Sequence, residues 1–307
     1  MDMMQVIATM VMLVAVMFVG YFSAKLKITG PVFNKQVSPV MMNIFLSATV
    51  LHSVINVVPS LSGREICQFI ALFFLMMVVS GLLGYIATKI IRVPKAEEGI
   101  AICLITYMNT AFVGYPIVET LYGTEAIFYA SLSGIPFNLM IYSVGTMTLC
   151  GSTTGQKISL KKMLTVPLIV TMVATAIFAF RIPFPAIVED TITTLSGATT
   201  PMSMIIIGTS LGAIPLKKAL TNWRVYVLSL VRLVLCPVAV YFLMAPFVTN
   251  EMILGIVTVL TATPTAMVLT ILCIQYDRDD SFASSGIFVS TILSALTIPF
   301  IIWLLLL

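Results

Sequence analysis

The sequence predicts an all-α integral membrane protein with ten transmembrane helices, arranged as a five-plus-five inverted repeat. Hydrophobic residues make up 60% of the 307-residue chain and charged residues only 9%, whereas soluble domains are about 25% charged. The mean hydropathy is +1.11. Long apolar runs recur along the whole sequence, and charged or turn-forming residues bound them. A soluble fold is therefore excluded.

Ten apolar runs have the length of a membrane-spanning helix, which needs about 20 residues. The first run lacks a basic n-region and a cleavage site, so we interpret it as a span rather than a signal peptide. No connection is long enough for a separate soluble domain, which argues against an ATP-driven transporter or a kinase module. The predicted spans are 3–24, 37–58, 66–88, 98–121, 125–149, 161–180, 190–212, 225–244, 252–275 and 282–306.

The basic residues alternate between the two sides of the predicted membrane. Thirteen of the 16 Lys and Arg residues lie in alternate connections, and the opposite connections hold only Arg64 and Arg181. Cytoplasmic loops are enriched in Lys and Arg, so both termini are predicted on the outer side of a plasma or inner membrane. The basic residues are spread over several loops, so the lipid bilayer and not nucleic acid is the predicted partner.

The longest polar connection, "CGSTTGQKISLKK" at 150–162, divides the chain into two halves of five spans. The predicted parts are a first repeat at 1–150, a cytosolic linker at 151–160 and a second repeat at 161–307. An odd number of spans per half makes the halves face in opposite directions, and such inverted repeats bind substrate between broken helices at mid-membrane. The fourth span is interrupted at "FVGYPIV", and its counterpart, the ninth, at "LTATPTAMV".

These interruptions predict half-helices whose N-termini begin at the breaks. Pro116 and Pro264 have no N–H and crowd the carbonyl four residues earlier, and Thr263 followed by Pro264 is typical of a helix start. Helix N-termini favour anions such as carboxylates. The alternative is a plain proline kink, with the asparagines bonded to neighbouring helices. The predicted substrate-binding residues are Asn109, Gly114, Tyr115, Pro116, Asn138, Thr263, Pro264 and Thr265.

Arg232 falls inside the eighth span, where a charged side chain is costly and indicates function. Three interpretations stay open. Arg232 binds an anionic substrate, pairs with Asp277 or Asp279 at the cytosolic rim, or extends its charged end to the interface.

Other polar residues exclude several classes of function. All carboxylates fall at predicted loops or span ends, which argues against a proton antiporter, although sodium coordination by carbonyls and hydroxyls stays open. His52 ends the second span and is assigned an interfacial role. The five cysteines lack metal-binding spacing, and no catalytic arrangement of side chains is evident. The sequence predicts a protein that is not an enzyme and has no metal or cofactor.

Four stretches resemble the auxin efflux carrier family, which includes bacterial organic-acid carriers and plant PIN-type auxin exporters. The resemblance extends over the whole chain, but Ser47 stands where relatives usually have a proline. The four stretches are "NTAFVGYP" in the fourth span, "PMSMIIIGTSLG" at 201–212, "VRLVLCPVAVYFL" at 231–243, and "QYDRDDSFASSGIFVSTILSALTIPF" at the end.

The resemblance implies a fold in which the fourth and ninth spans cross at their prolines. Spans one, two, six and seven would form a scaffold, dimeric through helices 2 and 7, and the others a bundle that carries substrate by an elevator-like movement. The implied substrates are small carboxylates such as malate and malonate, or auxin-like acids. We therefore expect a secondary transporter of small organic anions. The alternatives are a sodium-coupled symporter of bile-acid-carrier type and a membrane sensor that moves nothing.

Overall fold

The computed structural model describes residues 3–55, 63–150, 165–180, 182–213 and 221–307. Regular structure in these ranges is helical, with one isolated β-bridge. The α-helices are α1 (Met3–Lys25), α2 (Pro31–Val40), α3 (Leu46–His52), α4 (Gly63–Ile90), α5 (Lys95–Thr106), α6 (Tyr115–Tyr122), α7 (Glu125–Leu132), α8 (Gly134–Met140), α9 (Thr146–Cys150), α10 (Val166–Phe180), α11 (Ala186–Gly197), α12 (Thr199–Ala213), α13 (Trp223–Leu230), α14 (Cys236–Met244), α15 (Glu251–Ala262), α16 (Val268–Gln275) and α17 (Asp280–Leu306). The π-helical turns are π1 (Met41–Phe45), π2 (Thr110–Gly114), π3 (Ile141–Gly145) and π4 (Val231–Leu235).

Five helical segments in the described ranges are long and apolar enough to cross a membrane. They coincide with predicted spans one, three, five, eight and ten. The other predicted spans are interrupted or shorter, so the helical membrane-protein class is confirmed and the count of ten stays a prediction. The predicted linker at 151–160 lies outside the described residues. The five segments are Ile7–Lys25, Gly63–Ile90, Glu125–Cys150, Trp223–Met244 and Asp280–Leu306.

Two of the π-helical turns end two residues before a proline in the same run of helix. π2 precedes Pro116, which lies in the first turn of α6, and π4 precedes Pro237 in the first turn of α14. A proline ring clashes with the carbonyl four residues earlier in a regular α-helix. A π turn holds one extra residue and changes that spacing, so the helix continues past the proline instead of breaking at it.

The chain forms two compact units, and each draws on both sides of the 151–160 stretch. Unit 1 comprises Met1–Ile70, Ala111–Ile135 and Leu164–Ala213, and unit 2 comprises Ala71–Thr110, Pro136–Met163 and Ile214–Leu307. Each unit therefore combines segments from both predicted repeats.

In unit 1, α1 and α12 pack with their backbones in direct contact. A Cβ atom at Gly208 would lie 1.9 Å from the Met17 carbonyl oxygen, and one at Gly20 would lie 2.3 Å from the Ile205 carbonyl oxygen. Small residues allow this close approach. Inside a bilayer no hydrophobic effect drives helices together, so the van der Waals packing at such contacts favours their association. A polar contact supports the seam, since the Thr29 and Thr209 hydroxyls lie 3.1 Å apart.

In unit 2, α17 packs against α5, α13, α15 and α16. Gly286 of α17 faces Leu104 of α5 so closely that a Cβ atom there would lie 2.5 Å from the leucine side chain. The buried interior also contains a charged residue, Arg232, with a relative exposure of 0%. Unit 2 thus surrounds polar groups with tightly packed helices.

Candidate functional site

The interruptions in the fourth and ninth predicted spans pair with each other inside unit 2. Met108 and Thr265 form an isolated antiparallel bridge. The Asn109 N–H donates to the Pro264 carbonyl at 2.7 Å, and the Ala266 N–H donates to the Tyr107 carbonyl at 2.9 Å. Unpaired backbone groups are costly in a membrane interior. Each break provides hydrogen-bond partners for backbone groups that the other break leaves without a helical partner. We call residues 107–109 and 263–266 the paired break.

The first break lies earlier than the sequence predicted. α5 ends at Thr106, and Tyr107 has extended geometry with φ −101° and ψ 114°. Pro116, which we expected to mark the break, lies instead in the first turn of α6. π2 absorbs the clash that this proline would cause in a regular α-helix.

The second break corrects the predicted role of Thr263. We expected Thr263 to cap the following helix with Pro264 as its first residue, but Thr263 ends α15, and α16 begins only at Val268. The Thr263 hydroxyl donates backwards to the Leu260 carbonyl at 2.7 Å. Proline favours an extended residue before it, and the residues after Thr263 are held in the paired break rather than in a helix.

Thr265 connects the paired break to two helices. Its hydroxyl donates to the Leu104 carbonyl of α5 at 2.6 Å, and its N–H donates to the Ser290 hydroxyl of α17 at 3.3 Å. The last carbonyls of a helix have no intrahelical donor, so the threonine hydroxyl supplies one from another part of the chain. Thr265 is 2% exposed. This side chain therefore fixes the position of the second break.

Tyr107 belongs to the paired break but is not among the site residues that the sequence predicts. Its hydroxyl donates to the Met140 carbonyl at 3.0 Å, and its ring packs edge-on against Phe137 with centroids 6.0 Å apart. Asn138 lies in the same turn of α8 as these two contacts. The available signal was a tyrosine in an apolar span, because a buried Tyr hydroxyl usually requires a partner.

The predicted site residues fall into two groups. Asn109, Thr263, Pro264 and Thr265 are all buried in the paired break, and Asn138 lies in the turn that contacts Tyr107. Gly114, Tyr115 and Pro116 follow Asn109 along the chain, in segments that belong to unit 1.

The chemistry of the paired break is suited to an anion. π2 begins directly after Asn109 and α16 begins two residues after Ala266. The first N–H groups of a helix lack intrahelical acceptors and carry partial positive charge. The paired break contains no Asp or Glu. In the described part of the chain, no group of three or more His, Cys, Asp or Glu side chains could hold a metal.

Arg232 lies in π4 and is fully buried. Across the residues that the structure describes, no oxygen accepts a hydrogen bond from its guanidinium, and the Cys236 thiol is the side chain that interacts with it. The structure does not contain the ion pair between Arg232 and Asp277 or Asp279 that the sequence left open. Asp279 instead caps α17, accepting from the N–H groups of Ser281 and Phe282, each at 3.0 Å, and Asp277 is exposed.

Comparison with known proteins identifies the family. The family model described as "Membrane transport protein" matches residues 5–163 and 152–302. The chain belongs to this family, the auxin efflux carriers. The resemblance seen in the four sequence stretches is thereby confirmed, and the protein is a membrane transporter of this family.

Two archaeal relatives align over almost the whole chain. An uncharacterized transporter of Methanocaldococcus jannaschii is 26% identical over 296 residues, covering 94% of this chain and 95% of the relative. An uncharacterized transporter of Methanothermobacter thermautotrophicus is 24% identical over 295 residues, covering 95% of each.

Proposed function

We propose that this protein is a secondary transporter of small organic anions and that the carboxylate binds at the paired break. The substrate class is carboxylates such as malate and malonate, or auxin-like acids. The observation that carries the proposal is the pairing of two helix interruptions, with a helix start within two residues of each and no acidic side chain among their residues. Helix starts supply N–H donors and partial positive charge, both of which favour an anion. An acidic side chain among these residues would repel an anionic substrate.

Side chains around the paired break complete the proposed site. The backbone of Asn109 is fixed by its bond to the Pro264 carbonyl, which holds this residue in the paired break. Asn138 approaches from α8 next to the turn that holds Tyr107. Amide N–H groups donate to carboxylate oxygens, and a preorganised donor binds with less loss of conformational entropy.

We further propose an elevator-type mechanism built on an inverted repeat with crossing fourth and ninth spans. Unit 1 holds predicted spans one, two, six and seven, which the family resemblance assigns to the scaffold. Unit 2 holds the paired break and would carry the substrate. The N-terminus and C-terminus on the outer side and a homodimer through helices 2 and 7 belong to the same proposal.

A thermal-shift screen tests the site. Purified full-length protein is titrated with malonate, malate, acetate and indole-3-acetate, each with and without sodium. A hydrogen bond to a charged group contributes about 1.5–3 kcal/mol, so Asn109→Ala is expected to weaken the apparent affinity about 10- to 100-fold. Pro116→Ala is expected to weaken it as well, because the turn after Asn109 changes. Sodium dependence of the stabilisation would indicate the sodium-coupled alternative.

Asn43→Ala is the matched control, since Asn43 is an exposed asparagine in π1 of unit 1. Its affinity for the carboxylates is expected to equal that of the wild type. If Asn109→Ala and Pro116→Ala both bind carboxylates as tightly as the wild type, the site assignment is wrong.

A further inference from the structure

Arg232 is a buried cation that the described protein does not neutralise. Its relative exposure is 0%, no oxygen of the described residues accepts a hydrogen bond from its Nε or terminal nitrogens, and the Cys236 thiol, a weak acceptor, is the side chain that interacts with it. A guanidinium remains charged in proteins and presents five N–H donors. Burying such a group without a counter-charge is strongly unfavourable, because neither water nor an acceptor compensates for its lost hydration.

The acidic residues that the structure describes do not supply the missing charge. The sequence has 12 Asp and Glu residues, and all except Asp2 lie in the part that the structure describes. One of them, Glu98, forms an ion pair with Lys89 at 2.6 Å. Since no oxygen of the described residues accepts a hydrogen bond from the guanidinium, none of the described carboxylates is its counter-ion.

The surroundings of Arg232 are made by the helices that also hold the paired break. π4 packs against α5, α15 and α17, all within unit 2. Cys236, one turn further along, has the side chain that interacts electrostatically with the guanidinium, and the Ser80 hydroxyl lies near the same thiol. A thiol is a weak acceptor. π-Helical turns occur often at functional sites, and this one places a charged side chain at the centre of packed helices.

We propose that Arg232 is an anion-binding residue and that a small carboxylate binds its guanidinium inside unit 2. The planar fork of the guanidinium matches the two oxygens of a carboxylate and bonds them in parallel. The carboxylate comes either from the transported acid or from another small organic acid in solution. Arg232 lies outside the paired break, and binding of a carboxylate to it does not require that the protein transports that carboxylate.

The test measures the thermal stability of dialysed, full-length protein in detergent as sodium acetate, sodium malonate or sodium chloride is added at constant ionic strength. Wild-type protein is expected to be stabilised in a saturable way by acetate or malonate, because a ligand that binds only the folded state raises its melting temperature. Arg232→Met keeps a similar volume without the charge and is expected to respond with an apparent affinity at least about tenfold weaker, because only binding at the paired break remains. Arg232→Lys keeps a charge but not the fork and is expected to respond in part.

Without added anion, Arg232→Met is expected to melt no lower than the wild type, since replacing a buried charge with an apolar side chain is often neutral or stabilising. Asn109→Ala distinguishes the two sources of carboxylate. If Asn109→Ala still responds to acetate, a small organic acid from solution occupies Arg232; if only the transported acid stabilises the protein and both variants abolish the effect, the substrate provides the carboxylate.

Two results would overturn the proposal. One is a wild-type protein whose melting temperature is the same in acetate, malonate and chloride, which would mean that no carboxylate binds the guanidinium. The other is an Arg232→Met variant that responds to carboxylates as the wild type does. The wild-type titration alone decides the first, so the proposal is testable even if a variant fails to fold.

Discussion

Replacing Thr265 with valine removes one hydroxyl from the paired break and keeps the shape of the side chain. The hydroxyl donates to the Leu104 carbonyl at 2.6 Å, and Thr265 is only 2% exposed. Leaving a buried acceptor unsatisfied costs about 1–3 kcal/mol, and water in a bilayer interior does not repair the loss. We therefore expect Thr265→Val to lower the free energy of unfolding by about 1–3 kcal/mol.

Thermal unfolding of the purified protein in detergent measures this effect, with Thr265→Ser as the matched control. Serine keeps the hydroxyl and loses only a methyl group, so most of the stability should remain. The bond also positions the second break, so Thr265→Val should weaken carboxylate binding as well. A Thr265→Val variant that unfolds and binds like the wild type would refute the structural role of this bond.

Three further predictions concern other parts of the fold. Gly208→Ala forces a Cβ atom to within 1.9 Å of a backbone oxygen, so it should destabilise the protein by at least about 1–3 kcal/mol in a melting experiment. Gly197→Ala is the control, since nothing lies within 4 Å of the new atom, and it should leave the melting temperature unchanged. Tyr107→Phe removes the bond to the Met140 carbonyl and should cost about 0.5–1.5 kcal/mol; equal melting temperatures would contradict its role. Burial raises the pKa of Glu97, so its contribution to stability is present below the ordinary glutamate pKa and is lost as pH rises through the raised value. Glu97→Gln should therefore reduce the change of melting temperature with pH in this range. A pH dependence equal to that of the wild type would contradict the raised pKa.

The helical membrane class could be predicted from the sequence because apolar content and run length determine it directly. That the fourth and ninth interruptions would meet was expected from the inverted-repeat pattern and the family resemblance, while the repeat itself and a crossing at the two prolines stay predictions. The positions of the breaks were not predictable. A proline in a sequence signals a missing N–H, but the π turn before Pro116 lets the helix pass it, and the break falls at Tyr107 instead.

The side-chain roles at the site depended on contacts between distant segments. Thr263 has the sequence signature of a helix start, yet pairing of the following residues with Tyr107, Asn109 and Ser290 keeps them extended. Asp279 was a candidate partner for Arg232 and instead caps α17. Both cases show local signals overruled by partners that lie far away in the sequence, which no spacing rule reveals.

The paired break is proposed to bind a carboxylate that the protein carries across a membrane. The most direct test is uptake of radiolabelled malonate into proteoliposomes, comparing wild type, Asn109→Ala and the Asn43→Ala control. We predict saturable uptake by the wild type and Asn43→Ala, competed by unlabelled malate, and a large loss in Asn109→Ala. Uptake that is equal in all three would contradict the site, and stabilisation of the wild type by carboxylates without any uptake would indicate a sensor instead of a transporter.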